Sequence, residues 1–145
     1  MLRLSRKADY ALIALKHLAQ YGRNDALSAN DIADSYGISA PLLAKVLQRL
    51  AKKELVQARH GSSGGYTLAR DPAVVTALEV IQAIDGPLTI TSCSTRRGDC
   101  GHVTNCTVRE PLRRINDTIL TALNEVTLSQ MADEEPEIPV VGLQV

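Results

Sequence analysis

SANDIADSYGISAPLLAKVLQRLA, residues 28–51, decides the fold. Ser28 with Asp31 three positions on is a capping-box start for a short helix, and Ile32 and Ala33 fall on its buried side. Gly37 stops that helix, because glycine takes the left-handed backbone that a tight turn needs. Ser39 is placed to cap the next helix, and Pro41 falls in its first turn, where a missing N–H costs nothing. Leu42, Leu43, Val46, Leu47, Leu50 and Ala51 then recur at helical spacing, while Pro41, Lys45, Gln48, Arg49 and Lys52 share the opposite face. Ala33, Gly37 and Leu43 put a small residue, a turn residue and an apolar residue at the offsets that two helices packed across a short turn require.

Outward from this pair the pattern continues. Upstream, Ser5 opens a helix carrying Ala11, Leu12, Leu15, Leu18 and Ala19, and Gly22 stops it. Downstream of Lys53-Glu54 the period changes to that of two strands, Leu55–Arg59 and Tyr66–Arg70, joined by the turn-rich tip His60–Gly65. Asp71-Pro72 breaks the chain. Thr76 with Glu79 opens a further helix bearing Leu78, Val80, Ile81 and Ile84, which Asp85-Gly86-Pro87 ends. Residues 88–106 show no period. A long helix follows, capped either by Thr107 with Glu110 or by Glu110 with Pro111 at the first helical position. Its apolar positions, Leu112, Ile115, Ile119, Leu123 and Val126, form a narrow seam suited to another helix. Taken over 111–131 it would be about 30 Å long, and its simplest partner is its own copy in a homodimer.

The fold class is therefore mainly α with a small β-hairpin wing: a winged helix-turn-helix plus a long C-terminal dimerisation helix. The expected divisions are a DNA-binding domain over 1–70, a linking helix over 71–87, a cysteine loop over 88–106, the dimerisation helix over 107–132 and an acidic, mobile tail over 133–145. At 145 residues, of which 45% are hydrophobic, the chain can build a core of one domain with an appendage. No apolar run approaches the roughly 20 residues that span a bilayer, and the N-terminus has no signal-peptide pattern. A cytoplasmic protein without membrane contact is the expectation.

Charge narrows the function. The net charge is zero, but residues 1–70 carry 11 Lys and Arg against 5 Asp and Glu, whereas residues 71–145 carry 5 against 11. A basic half joined to an acidic half suits a polyanion partner at one end only. With four Tyr and no Phe or Trp, stacking of single-stranded bases is disfavoured. Double-stranded DNA fits better. The second helix would lie in the major groove, with Ser39, Pro41, Lys45, Gln48 and Arg49 as contacts. Arg59, Ser62, Ser63 and Gly64 would form the wing, whose small residues let backbone N–H groups approach phosphate.

Cys93, Cys100 and Cys106 are the chain's three cysteines, and all lie in the aperiodic stretch. Their wide spacing does not suit a zinc knuckle, which takes tight pairs and four ligands. An iron–sulfur cluster, whose larger core tolerates wider spacing, fits better. Redox chemistry of free thiols is the other reading of the same residues.

Leu2-Arg3-Leu4-Ser5, Asp9-Tyr10-Ala11-Leu12, Leu55-Val56 with Arg59, Gly64-Gly65-Tyr66-Thr67-Leu68-Ala69-Arg70, Ile84-Asp85-Gly86-Pro87-Leu88 and the three cysteines together resemble the Rrf-type bacterial transcription regulators, of IscR-like and NsrR-like kind. The resemblance runs from residue 2 to about 132. Ala40-Pro41, Lys45-Val46-Leu47, Arg113-Arg114-Ile115-Asn116 and Val126-Thr127-Leu128 place it closest to the regulators of the SUF iron–sulfur assembly operon. It implies a homodimer on a palindromic operator, with a cluster in each cysteine loop, 2Fe-2S in preference to 4Fe-4S. Cys93, Cys100 and Cys106 match the ligand cysteines, although the first gap here has six residues where many members have five. Arg109 stands where IscR-like members have a histidine ligand. Asp9 matches the carboxylate that NsrR-like members donate from the partner subunit. His102 and Glu110 are local alternatives, and a salt bridge or cap near Arg6 is the alternative role of Asp9.

The function expected is that of a repressor which senses iron–sulfur status or oxidative and nitrosative stress and controls cluster-assembly genes. The alternative is a metal-free thiol switch or dimeric interaction module on the same fold. No catalytic pair or phosphate loop is evident, so neither an enzyme nor a small-molecule substrate is expected.

Overall fold

The computed structural model describes residues 3–22, 24–62, 64–89 and 107–134. Cys93, Cys100, Cys106, His102, Ser63 and the end of the acidic tail lie outside the described residues. The elements run α1 (Arg6–Tyr21), α2 (Ala29–Tyr36), α3 (Ala40–Lys52), β1 (Val56–Arg59), β2 (Gly65–Leu68), α4 (Ala77–Asp85), α5 (Arg109–Glu125) and α6 (Leu128–Asp133).

The starts read from the sequence carry the expected caps. The Ser5 hydroxyl accepts from the Ala8 amide at α1. Ser28 and Asp31 form a reciprocal capping box at α2. Gly37 ends α2 with φ 64°, and its N–H and that of Ile38 both donate to the Ala33 carbonyl. Ser39 stands at the start of α3 but makes no side-chain cap; Pro41 is the second helical residue. Thr76 caps α4 through the Glu79 amide, while the Glu79 carboxylate pairs with Arg70 instead of closing the box.

The core lies between α1, α2, α3, α4 and α6. Ala8, Ala11 and Ala14 are fully buried on α1, and such small side chains let neighbouring helices approach its axis closely. Leu15, Leu18, Ile32, Leu43, Leu47, Leu50, Ile81 and Leu128 are the large residues enclosed there, each stabilising the fold by about 1.5–3 kcal/mol relative to exposure.

The hairpin is antiparallel, pairing Val56 with Leu68, Gln57 with Thr67, Ala58 with Tyr66 and Arg59 with Gly65. Its strands are shorter than the stretches 55–59 and 66–70 predict. A third edge, not expected from the sequence, comes from Leu27, which exchanges two backbone hydrogen bonds with Tyr66 at 2.8 and 3.1 Å. This bridge ties the wing to the start of α2.

The single helix expected over 111–131 is two. The first, α5, starts after Val108, which has no capping side chain, so neither cap weighed from the sequence forms. It ends at Glu125, giving 17 residues, about 26 Å. Val126 is extended, and Thr127 makes a capping box with Gln130 that opens α6. Residues 126–128 cross the start of α4: Ala77 N–H donates to the Val126 carbonyl at 2.8 Å, and Leu128 N–H to the Val75 carbonyl at 2.9 Å. Leu128 thereby enters the core, and Val126 leaves the helical seam.

Candidate nucleic-acid interface and the cysteine segment

The outer face of α3 carries exposed Pro41, Lys45, Gln48 and Arg49, with exposed Ser39 just before it. Lys45, Gln48, Arg49, Lys52 and Lys53 line one shallow depression. Lys52 and Lys53 were not among the residues singled out for contact. The signal was available for Lys52, which continues the helical spacing of 45, 48 and 49. Four cations within two turns and no carboxylate on that strip attract a polyanion, and the flanking polar Gln48 offers a donor–acceptor pair to a base edge. Arg49 has a second commitment: its Nε donates to the Ala83 carbonyl of α4 at 3.2 Å.

In the wing, Arg59 ends β1 and is exposed, as is Ser62. Gly64 N–H closes the tip on the Gly61 carbonyl at 3.0 Å. A Cβ at Gly64 would lie 2.8 Å from the carbonyl oxygens of Arg59 and Gly61, so the tip has room for glycine alone there. Arg70, at the hairpin's other end, is drawn to Glu79 and is thereby removed from the free cations.

The described root of the cysteine segment is Asp85–Thr89. Leu88 is buried, and the Asp85 carboxylate accepts from both the amide and the hydroxyl of Ser5. The segment thus leaves the domain beside the N-terminus of α1 and returns at α5. Asp9 lies one turn along α1 with its side chain exposed, and among the described residues it makes no ion pair, with Arg6 or otherwise. Glu110, the local alternative, is held by Arg113 at 2.8 Å, and that hydrogen bond keeps its carboxyl below the usual carboxylate range.

A helix-turn-helix whose second helix presents a cationic strip, flanked by a small-residue hairpin, defines a winged-helix DNA-binding protein. A family model described as "Iron-dependent Transcriptional regulator", Rrf2, matches residues 4–134. The chain is 30% identical over 143 residues to the HTH-type transcriptional regulator IscR of Photorhabdus laumondii, a match covering 99% of this chain and 87% of that protein. Among solved structures it is similar to CymR (YrzC), the global cysteine regulator of B. subtilis, with a TM-score of 0.77 and 28% identity over 91% of this chain and 97% of that one. It is also similar to T. potens IscR, with a TM-score of 0.72 and 27% identity over 90% and 85%. The chain belongs to the Rrf2 family of DNA-binding transcriptional regulators, which are not enzymes. Among the described residues no helix is long and apolar enough to cross a membrane.

Proposed function

We propose that this regulator is a homodimeric, cytoplasmic repressor that reads a palindromic operator and senses iron–sulfur status, or oxidative and nitrosative stress, through a cluster held by Cys93, Cys100 and Cys106. The observation that carries it is the position of the segment between its two anchors. The chain's three cysteines all fall between a root clasped to α1 by Ser5–Asp85 and the helix α5. A change of ligation in that segment acts on both the DNA-binding domain and the dimer helix.

The donor chemistry fits the group. Three thiols suit an iron–sulfur core, and 2Fe-2S is favoured over 4Fe-4S. A carboxylate completes the set: Asp9 is exposed and without an ion pair among the described residues, whereas Glu110 is engaged by Arg113. Asp9 is the better fourth ligand on that ground. A bound cluster would supply a centre open to attack by oxygen, peroxide or nitric oxide. Control of DNA then requires that the two ligation states differ in affinity for it.

Lys45 and Gln48 on α3, with Ser39 and Pro41 at its start, face the major groove in this reading, and Arg59, Ser62, Ser63 and Gly64 the adjacent backbone or minor groove. The α5 surface supports the dimer: Ile115 is 51% exposed, while polar Asn116 is the helix's one buried residue. Cluster-assembly genes of the SUF type are the proposed targets.

A metal-free thiol switch is the second reading. What favours it is that the likeness to CymR, a cysteine regulator by its description, is as strong as that to IscR structures.

One experiment separates them. The protein is purified without oxygen, assayed for iron and sulfide, and footprinted on the region upstream of its own gene. The cluster reading expects visible colour, stoichiometric iron and sulfide, loss of both in Cys93→Ala, Cys100→Ala and Cys106→Ala, and a changed footprint. Colourless protein that reconstitution cannot load, with a footprint that follows thiol oxidation, establishes the switch instead. An identical footprint in every cysteine variant overturns both.

A further inference from the structure

The helical spacing of α3 puts Arg49 on the outer face, among the expected DNA contacts. Its guanidinium points to another task. The Nε–H donates to the carbonyl of Ala83, the third residue from the end of α4, at 3.2 Å. Within a continued helix that carbonyl would accept from the amide four residues on. That residue is Pro87, which has no N–H. Gly86 N–H goes one residue back, to the Gln82 carbonyl. The carbonyls of Ala83, Ile84 and Asp85 at the end of α4 therefore have no donor within the helix, and a side chain from the recognition helix supplies one to Ala83. The partner is well chosen: a guanidinium near a helix C-terminus also meets the negative end of the dipole, and its planar fork is fixed in a way that a lysine ammonium is not.

We propose that Arg49 is a positioning residue, not a base reader: it fixes the seat of α3 against α4, so that the frame carrying Asp85 and the root of the cysteine segment sets how the recognition helix is presented to a duplex. The neighbours divide accordingly. Lys45, Gln48 and Lys52 stay free to face DNA, and Arg49 sets their orientation. The proposal rests on the DNA-reading half of the proposed function and is independent of any cluster.

Two variants test it: Arg49→Lys, which keeps the charge, and Arg49→Gln, which does not. Hydrogen exchange is measured on the full chain without DNA, and binding is measured with two probes, random-sequence duplex and duplexes selected by the wild-type protein from a randomised pool. In both variants the amides of 83–89 should exchange faster, by about three- to tenfold, while Lys45→Gln leaves them unchanged. In Arg49→Lys, which keeps the charge, affinity for random duplex and its salt slope should match wild type, whereas Arg49→Gln, which removes one of the four cations, should bind random duplex more weakly. The preference for selected over random duplex should fall about five- to tenfold in both, spread over the half-site.

A phosphate contact would instead leave the preference for selected duplex intact in Arg49→Lys, which keeps the charge. A base reader would relax one base pair alone. Either result overturns the proposal. So does unchanged exchange at 83–89, or faster exchange with sequence preference intact, which would reduce Arg49 to a stabilising contact. If the wild-type chain selects no sequence, the operator reading itself fails, visibly and first, and the positioning role falls with it.

Discussion

Ser5 and Asp85, eighty positions apart, share two hydrogen bonds: the Ser5 amide donates to one carboxylate oxygen at 3.1 Å and the Ser5 hydroxyl donates to the other. The same hydroxyl accepts from the Ala8 amide at 3.0 Å. One side chain thus starts α1 and fastens the end of α4 to it. Ser5→Ala removes the cap and half of the clasp. The expected loss is about 1–2 kcal/mol, or about 3–6 °C in Tm for a chain of this size, with Ser5→Thr losing much less. Thermal unfolding followed by circular dichroism measures it, and an alanine variant within 1 °C of wild type would deny the clasp any weight.

Gly65 is where the wing meets the body. A Cβ there would lie 2.5 Å from the carbonyl carbon and oxygen of Leu27, and the backbone has φ 155°. Gly65→Ala must push β2 off the Leu27 bridge, at a cost of about 2–3 kcal/mol. Gly61 also has positive φ, but nothing lies near its Cβ position, so Gly61→Ala should cost about 1 kcal/mol less. Urea unfolding of both variants gives the comparison. Equal losses would show that backbone conformation, and not contact with Leu27, governs the site.

Glu54 is the non-glycine residue held at positive φ, 61°, among the described residues. It closes α3: its N–H goes to the Ala51 carbonyl and that of Leu55 to the Leu50 carbonyl. A left-handed conformation costs an L-residue about 1–2 kcal/mol, partly offset in a glycine variant by a more flexible unfolded chain. Glu54→Gly should therefore stabilise the protein by about 0.5–1 kcal/mol, seen as a higher urea midpoint at unchanged slope. A lower midpoint would mean that the carboxylate contributes more than the backbone strain takes away.

The parts of the fold that could be read in advance are those whose causes are local. The start of α2 needs only Ser28 and Asp31, and its end only Gly37. The hairpin was legible from its turn residues, but not its anchor, because a one-residue bridge between Leu27 and Tyr66 leaves no periodic trace. The break between α5 and α6 had a signal, Thr127 with Gln130, yet apolar positions run on at helical spacing through Met131 and hid it. In the candidate site, the spacing 45, 48, 49, 52 found the cationic strip. It could not find the partner of Arg49, because that depends on how α3 packs against the end of α4, where the carbonyl of Ala83 has no donor within the helix.

His17 sits between Tyr21 and Tyr36, with its Nδ1 2.7 Å from the Tyr36 hydroxyl. Partial burial pushes its pKa below the ordinary 6.5. The unfolded chain then takes up the proton first as pH falls. Stability is fully present above about pH 6.5 and is lost as pH drops from there towards the folded-state value. Tm should decline from pH 7.5 to pH 5.5, and His17→Gln should flatten part of that decline. An unchanged slope in the variant would assign the acid sensitivity to the carboxylates alone.

The strongest demand for a second copy of the chain comes from α5. Leu112, Ile119 and Leu123 are half-buried and Ile115 is half-exposed on a helix whose enclosed residue is Asn116. Burying a polar side chain inward while aliphatic ones remain partly open reverses the pattern of a helix that packs on its own domain alone. The spacing of 112, 115, 119 and 123 is that of a seam between helices. Ile115→Glu would place a carboxylate in that seam in both copies, where it is desolvated beside apolar neighbours. The dimer should weaken by at least about a hundredfold, a change of about 2.7 kcal/mol. The helical signal of the monomer should persist, because Ile115 itself is half-exposed in the single chain. Sedimentation velocity across a concentration series, with circular dichroism on the same samples, reads both quantities. A wild-type chain that sediments as a monomer at all concentrations, or an Ile115→Glu dimer as tight as wild type, would remove α5 as the interface. The palindromic operator would then need another source of symmetry.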